Sequence, residues 1–98
     1  MATLHVLSHS PFTDSRLSSC LRVLGPDDGV LLCGDAAYAL GTGAVAQALR
    51  TKSTGLSVYV LDEDAKARGI ALPEWAQSVD YAGFVALSVH YDKVNTWL

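Results

Sequence analysis

The stretch Gly29-Val-Leu-Leu-Cys-Gly-Asp-Ala-Ala-Tyr38 constrains this chain more than any other. Its apolar run ends in Cys33-Gly34-Asp35, and helix-forming residues follow at once. A strand that is apolar at every position has no face for solvent. It belongs inside a parallel sheet covered on both sides. The handover to a helix sets a thiol, a glycine and a carboxylate at the strand's C-terminal end, the edge along which open α/β sheets build their sites.

The rest of the chain alternates in the same way. Thr3 to Ser8 reads as a first strand, broken by Ser10-Pro11-Phe12. Asp14 or Ser15 can cap a helix from Arg16 to Leu24, with Leu17, Cys20, Leu21 and Leu24 on one face. A turn cluster, Gly25 to Gly29, leads into a second strand, Val30 to Cys33. Asp35 is the expected cap of a second helix, Ala36 to Leu40, which Gly41-Thr-Gly43 interrupts and Ala44 to Arg50 resumes.

After a loop at Ser53-Thr-Gly55, Leu56 to Leu61 is a third strand. Asp62 and Asp64 open a third helix, which runs to Arg68 and stops at Gly69. Ser78 to Asp80 reads as a short fourth strand, and Tyr81 to His90 as a fourth helix with Phe84, Val85, Leu87 and Val89 apolar. Asp92 to Leu98 is either a fifth strand or a tail. This order predicts one α/β domain over residues 1–98: a three-layer α/β/α sandwich on a mostly parallel sheet of four or five strands.

Composition bounds the function. Half of the 98 residues are hydrophobic and only 17% are charged, so a small domain is left with apolar surface to cover, which favours a subunit of an oligomer. The net charge is -3 and the seven Lys and Arg are scattered, which gives no electrostatic footprint for nucleic acid. No run approaches the roughly 20 apolar residues of a membrane span, and the N-terminus lacks a basic leader. Two cysteines in such a chain point to a reducing cytoplasm and free thiols.

His5 and His9 invite a metal reading. On a strand they would lie about 13 Å apart, too far for one ion, so no metal is expected. Phosphate-loop glycines are missing: Gly41-Thr-Gly43 lacks the third glycine and the preceding strand, so no nucleotide cofactor is expected. Ser8 and Ser10 lack the Gly-x-Ser-x-Gly elbow of hydrolases. Tyr38, Trp75, Tyr81, Tyr91 and Trp97 read as core or interface anchors.

Leu4-His-Val-Leu-Ser-His-Ser-Pro-Phe12 resembles the opening of the TusB/DsrH family, and Val30-Leu-Leu-Cys-Gly-Asp35 with Tyr38-Ala39 resembles its second strand and helix start. Val58-Tyr-Val-Leu61 with Asp64 and Lys66-Ala-Arg-Gly69, then Asp80-Tyr-Ala-Gly-Phe-Val85, then Thr96-Trp97-Leu98 continue the likeness to the end. The family's usual Asp-Gly after the second strand is Asp35-Ala36 here.

The resemblance implies the DsrEFH-like, flavodoxin-related fold and a place in a sulfurtransferase complex. That place is a relay with TusC-like and TusD-like sister subunits and a downstream acceptor, feeding 2-thiouridine at the tRNA wobble position. It also implies that the established sulfur-accepting cysteine belongs to the TusD-like partner, so this subunit is auxiliary or non-catalytic. The alternative pathway is dissimilatory sulfur oxidation, in which DsrH-type members carry a cysteine matched by Ser19-Cys20-Leu21.

Cys20 is therefore the candidate auxiliary persulfide carrier on the resemblance, against a plain reading as a small buried hydrophobe on the Leu17/Leu21/Leu24 stripe. Cys33 is the runner-up on position, beside Gly34 and a helix start. A stand-alone small-ligand binder is the rival from another class.

Overall fold

A computed structural model describes residues 2–10, 16–25, 27–41, 44–52 and 57–97. The proposed caps Asp14 and Ser15 and the loop Ser53-Thr-Gly55 lie outside the described residues. Five strands, β1 (Thr3–Leu7), β2 (Gly29–Leu32), β3 (Ser57–Leu61), β4 (Ala76–Val79) and β5 (Lys93–Trp97), form one sheet in the order β4-β3-β2-β1-β5. Every pair is parallel. The helices are α1 (Arg16–Val23), α2 (Ala44–Lys52), α3 (Asp62–Ala67) and α4 (Tyr81–His90), with a 3-10 helix over Gly34–Leu40. The segment after Asp92 is thus a strand, on the free side of β1.

Chain direction explains the layers. From β1 to β4 each strand is laid beside the last, so right-handed crossovers put α1, the 3-10 helix, α2 and α3 on one face. The step from β4 to β5 returns across the whole sheet, and α4 falls on the other face. Two cores result. Leu7, Val30, Leu32, Val58 and Val60 meet Leu17, Cys20, Leu21, Leu49 and Ala65 on the first face. Leu4, Val6, Leu31, Leu61 and Tyr91 form the second, with Phe84 and Leu87 of α4 against it. Successive strand residues point to opposite faces, so β2, apolar throughout, contributes to both.

Several boundaries differ from the sequence reading, most by a residue or two. The fourth strand starts earlier, at Ala76, and Asp80 leaves it to cap α4, its carboxylate accepting the Gly83 N–H at 2.7 Å. The second helix begins as a 3-10 helix whose N-cap position is Cys33, with no side-chain cap. Asp35 therefore does not cap; it sits in the first turn, and its carboxylate turns outward to Arg68. The extended Cys33 ends β2 and Gly34 follows at φ +54°, so the chain turns one residue before a side-chain cap at 35 can form.

Gly29 opens β2 against the ring of Tyr91. A Cβ there would meet the Tyr91 hydroxyl in hard contact and lie 2.8 Å from Cζ. The ring is buried among Leu4, Val6 and Leu31 and cannot swing away cheaply. Gly29→Ala is expected to cost about 2–3 kcal/mol, read as a lower midpoint in urea unfolding with an unchanged slope.

Candidate functional site

The C-terminal edge of the sheet carries the residues that the sequence placed there. Cys33 continues β2 by one residue: its N–H donates to the Leu7 carbonyl at 2.9 Å, and its thiol donates to the same oxygen at 3.4 Å. Gly34 donates its N–H to Asp64 Oδ2 at 2.8 Å, tying the end of β2 to the start of α3. A hydrogen-bonded turn closes α3: Gly69 N–H reaches Lys66 O at 3.1 Å and Ile70 N–H reaches Ala65 O at 3.0 Å.

That turn fixes Arg68. Its Nε and Nη2 donate to Asp35 Oδ1 at 3.2 and 2.9 Å, and Nη1 donates to the Asp64 carbonyl at 3.2 Å. The guanidinium also lies over the Tyr38 ring, 5.8 Å from its centroid. The edge is therefore a closed lattice of one arginine, two carboxylates and a glycine amide beside a half-buried thiol.

The electrostatics do not activate that thiol. Burial pushes Cys33 up, and the Asp64 carboxylate pushes it further in the same direction. Thiols become nucleophilic beside cations, and the nearby guanidinium is engaged by Asp35 and Asp64.

Cys20 is elsewhere. It lies on α1, fully buried, among Leu17, Leu21 and the strand residues of the first core. Burial, then the charge of Asp28, push its thiol up to about 12. At pH 7 such a thiol is ionised only to about one part in 10⁵. The structure does not bring Cys20 and Cys33 into one described contact; the charge of Asp28 acts on the first and that of Asp64 on the second.

A second constellation was missed from the sequence. His5, in the middle of β1, is buried with its Nε2 3.2 Å from Asp28 Oδ2, and the Trp97 indole N–H donates to His5 Nδ1 at 3.0 Å. An indole can only donate, so Nδ1 accepts, and the single ring proton is assigned to Nε2, facing the carboxylate. Asp28 also accepts from the N–H groups of Thr3 and Gly25, both at 2.9 Å. Burial pushes the Asp28 carboxyl up, but the hydrogen bonds from Gly25, Thr3 and His5 outweigh it and hold it below its usual value.

An Asp–His pair invites a catalytic reading, but both imidazole nitrogens are occupied and the group is buried. It is a clasp between the two ends of the chain. His9, by contrast, is exposed beyond β1. The only hint in the sequence was a histidine inside an apolar strand, since a buried polar group needs partners.

A five-stranded parallel sheet in this order, with helices on both faces, is a three-layer α/β/α fold. The ychN protein from E. coli shares it, with a TM-score of 0.79 at 21% identity over 99% of this chain and 100% of that one. A protein of unknown function from Methanobacterium thermoautotrophicum superposes with a TM-score of 0.69 at 10% identity, over 96% of each chain.

Sequence likeness identifies the family. The family model described as DsrH like protein matches residues 9–94. Protein TusB of Erwinia tasmaniensis is 35% identical over 96 residues, covering 96% of this chain and 99% of that one. Protein TusB of Klebsiella pneumoniae and of Escherichia coli are each 33% identical over 97 residues, with the same coverage. The chain belongs to the DsrH-like family, to which the resemblance read from its motifs pointed.

Two measurements test this geometry. In the native protein at pH 8, Cys33 is expected to alkylate and Cys20 to react roughly a hundredfold or more slowly, its rate following global unfolding; peptide mass spectrometry separates the two. Asp28→Asn is expected to cost about 2–3 kcal/mol at neutral pH. Because the folded-state carboxyl is held low, its stabilisation is present above the unfolded value near 4 and is lost as pH falls through the folded value. Urea unfolding from pH 7 to 3 should therefore fall less steeply in the variant.

Proposed function

We propose that this chain is a subunit of a cytoplasmic sulfur-relay complex that supports 2-thiouridine formation at the tRNA wobble position. Its work there is assembly: the 1–98 domain completes a unit with TusC-like and TusD-like sister chains and shapes the site from which sulfur passes to a downstream acceptor. The observation that carries this reading is the end-to-end likeness to proteins called TusB, 35% identical over 96 residues.

Sulfur relay requires an acceptor thiolate to attack the outer sulfur of a donor persulfide. A new S–S bond forms, the old one breaks and the donor leaves as a thiolate. The settings of both thiols here favour assembly over carriage. Cys20 is sealed in the core with its thiol raised to about 12, and Cys33 is half-buried against Asp64. Cytoplasmic placement rests on the free thiols; among the described residues no helix is long and apolar enough to cross a membrane.

Ser19-Cys20-Leu21 favours a second reading, the DsrH-type subunit of a sulfur-oxidation complex. One experiment separates the readings. In cells lacking this chain, wobble 2-thiouridine should fall, and both the wild type and Cys20→Ala should restore it. Failure of a folded Cys20→Ala protein, with a 32 Da persulfide adduct on the wild-type residue, would make Cys20 the carrier. Unchanged thiolation in the deletion strain would move the chain to the oxidative pathway.

A further inference from the structure

Helix α4 stands apart from the other helices. Its sequence, Tyr-Ala-Gly-Phe-Val-Ala-Leu-Ser-Val-His, holds no Lys, Arg, Asp or Glu, and none of its residues is buried. Phe84 and Leu87 turn to the sheet. Tyr81, Val85 and Val89 remain 55, 62 and 81% exposed. These three are spaced i, i+4, i+8, so they form one ridge about 12 Å long. Ala82 and Ala86, also exposed, make a shallow row beside it. A bulky i±4 ridge next to a row of small residues is the relief into which a second helix packs.

We propose that this ridge is the docking surface for an apolar helix of a folded sister chain, an inference that rests on the relay-subunit reading above. The size of the surface argues for a folded chain over a peptide. The outward half of a ten-residue helix offers only on the order of 230 Å², whereas a stable interface takes about 800 Å² from each partner. The remainder must come from neighbouring surface. Strand β5 begins two residues after α4, forms an edge of the sheet, and carries Val94, 42% exposed, on the same face as Leu4. A partner must therefore span both helix and strand.

Polarity fits the same occupant. An uncharged ridge has exposed Asp80 and Asp92 at its two ends and exposed Thr96 on the same sheet face as Val94, an apolar centre with a polar rim. A charged partner face would lose hydration on the ridge with no counter-charge to meet it. The net charge of -3, with carboxylates at both ends of the helix, also opposes an anionic lipid surface.

The test is co-expression with the TusC-like and TusD-like chains of the same genome, followed by gel filtration and native mass spectrometry. Wild type is expected to assemble. Val85→Asp and Val89→Asp should each weaken assembly about tenfold, and the double variant should abolish it. Glu63→Lys on α3 should assemble as wild type does. Both valines are mostly exposed, so the fold should persist, checked by circular dichroism and melting; Val89→Lys, at the more exposed position, provides an independent variant.

Full assembly by the folded double variant would overturn the surface while leaving the relay reading intact. Failure of wild type to bind the sister chains would overturn the reading and the docking proposal with it. If the isolated wild type is a dimer that the double variant makes monomeric, the occupant is a second copy and the sister-chain assignment is wrong.

Discussion

One buried carboxylate holds the ends of this molecule together. Asp28 is only 8% exposed, so its charge must be met by donors within the fold. It receives Thr3 from the first strand, Gly25 from the turn before β2, and the His5 imidazole. Through His5 it reaches Trp97 at the end of the last strand. Among the described residues, strand β5 has only β1 as a sheet neighbour. The indole–imidazole bond adds a side-chain tie to that single ladder. The arrangement carries a cost: the bonds from its donors weaken when the acid is protonated, so the same group that closes the sheet makes it sensitive to acid.

The sheet's coverage is unequal, and the cause is connectivity. Four successive strands laid in one direction place three α-helices and a 3-10 helix on one face. The single return crossover leaves α4 alone on the other. A lone helix on a five-stranded face would be expected to be strongly amphipathic, apolar inward and polar outward. Instead α4 carries no Lys, Arg, Asp or Glu on any side, and its outward face is led by Tyr81, Val85 and Val89. Such a helix is at ease only when both sides are covered, and Tyr81, Val85 and Val89 on it, with Val94 on neighbouring β5, are among the large hydrophobic side chains left exposed.

The elements themselves were legible because they rest on local patterning. The apolar run at β2, the Gly69 stop after α3 and the alternation of strands and helices each depend on residues a few positions apart. Asp35 misled because a capping residue is recognised by spacing, and the turn at Gly34 shifted the helix start by two positions. His5 was opaque for a different reason: its partners lie 23 and 92 residues away, and no local rule reports a contact made across the sheet. Arg68 and Asp35 were likewise separated, by 33 residues. The placement of Cys33 at the sheet edge could be read; the carboxylate set against its thiol could not.

That carboxylate bears on what the fold can do. Each cysteine feels the charge of an acid that already serves the structure: Cys20 that of Asp28, which clasps the chain ends, and Cys33 that of Asp64, which binds the Gly34 amide. The Arg68 guanidinium at the sheet edge is held by Asp35 and Asp64. Negative charge next to a thiol opposes the thiolate needed to accept sulfur. Burial does most to oppose the thiolate at both cysteines, and the acid adds to it while holding its part of the backbone. A chain built this way has little nucleophilicity to offer a sulfur relay and an uncharged helix face beside an edge strand to offer its neighbours, which supports a role in holding and shaping another subunit's site.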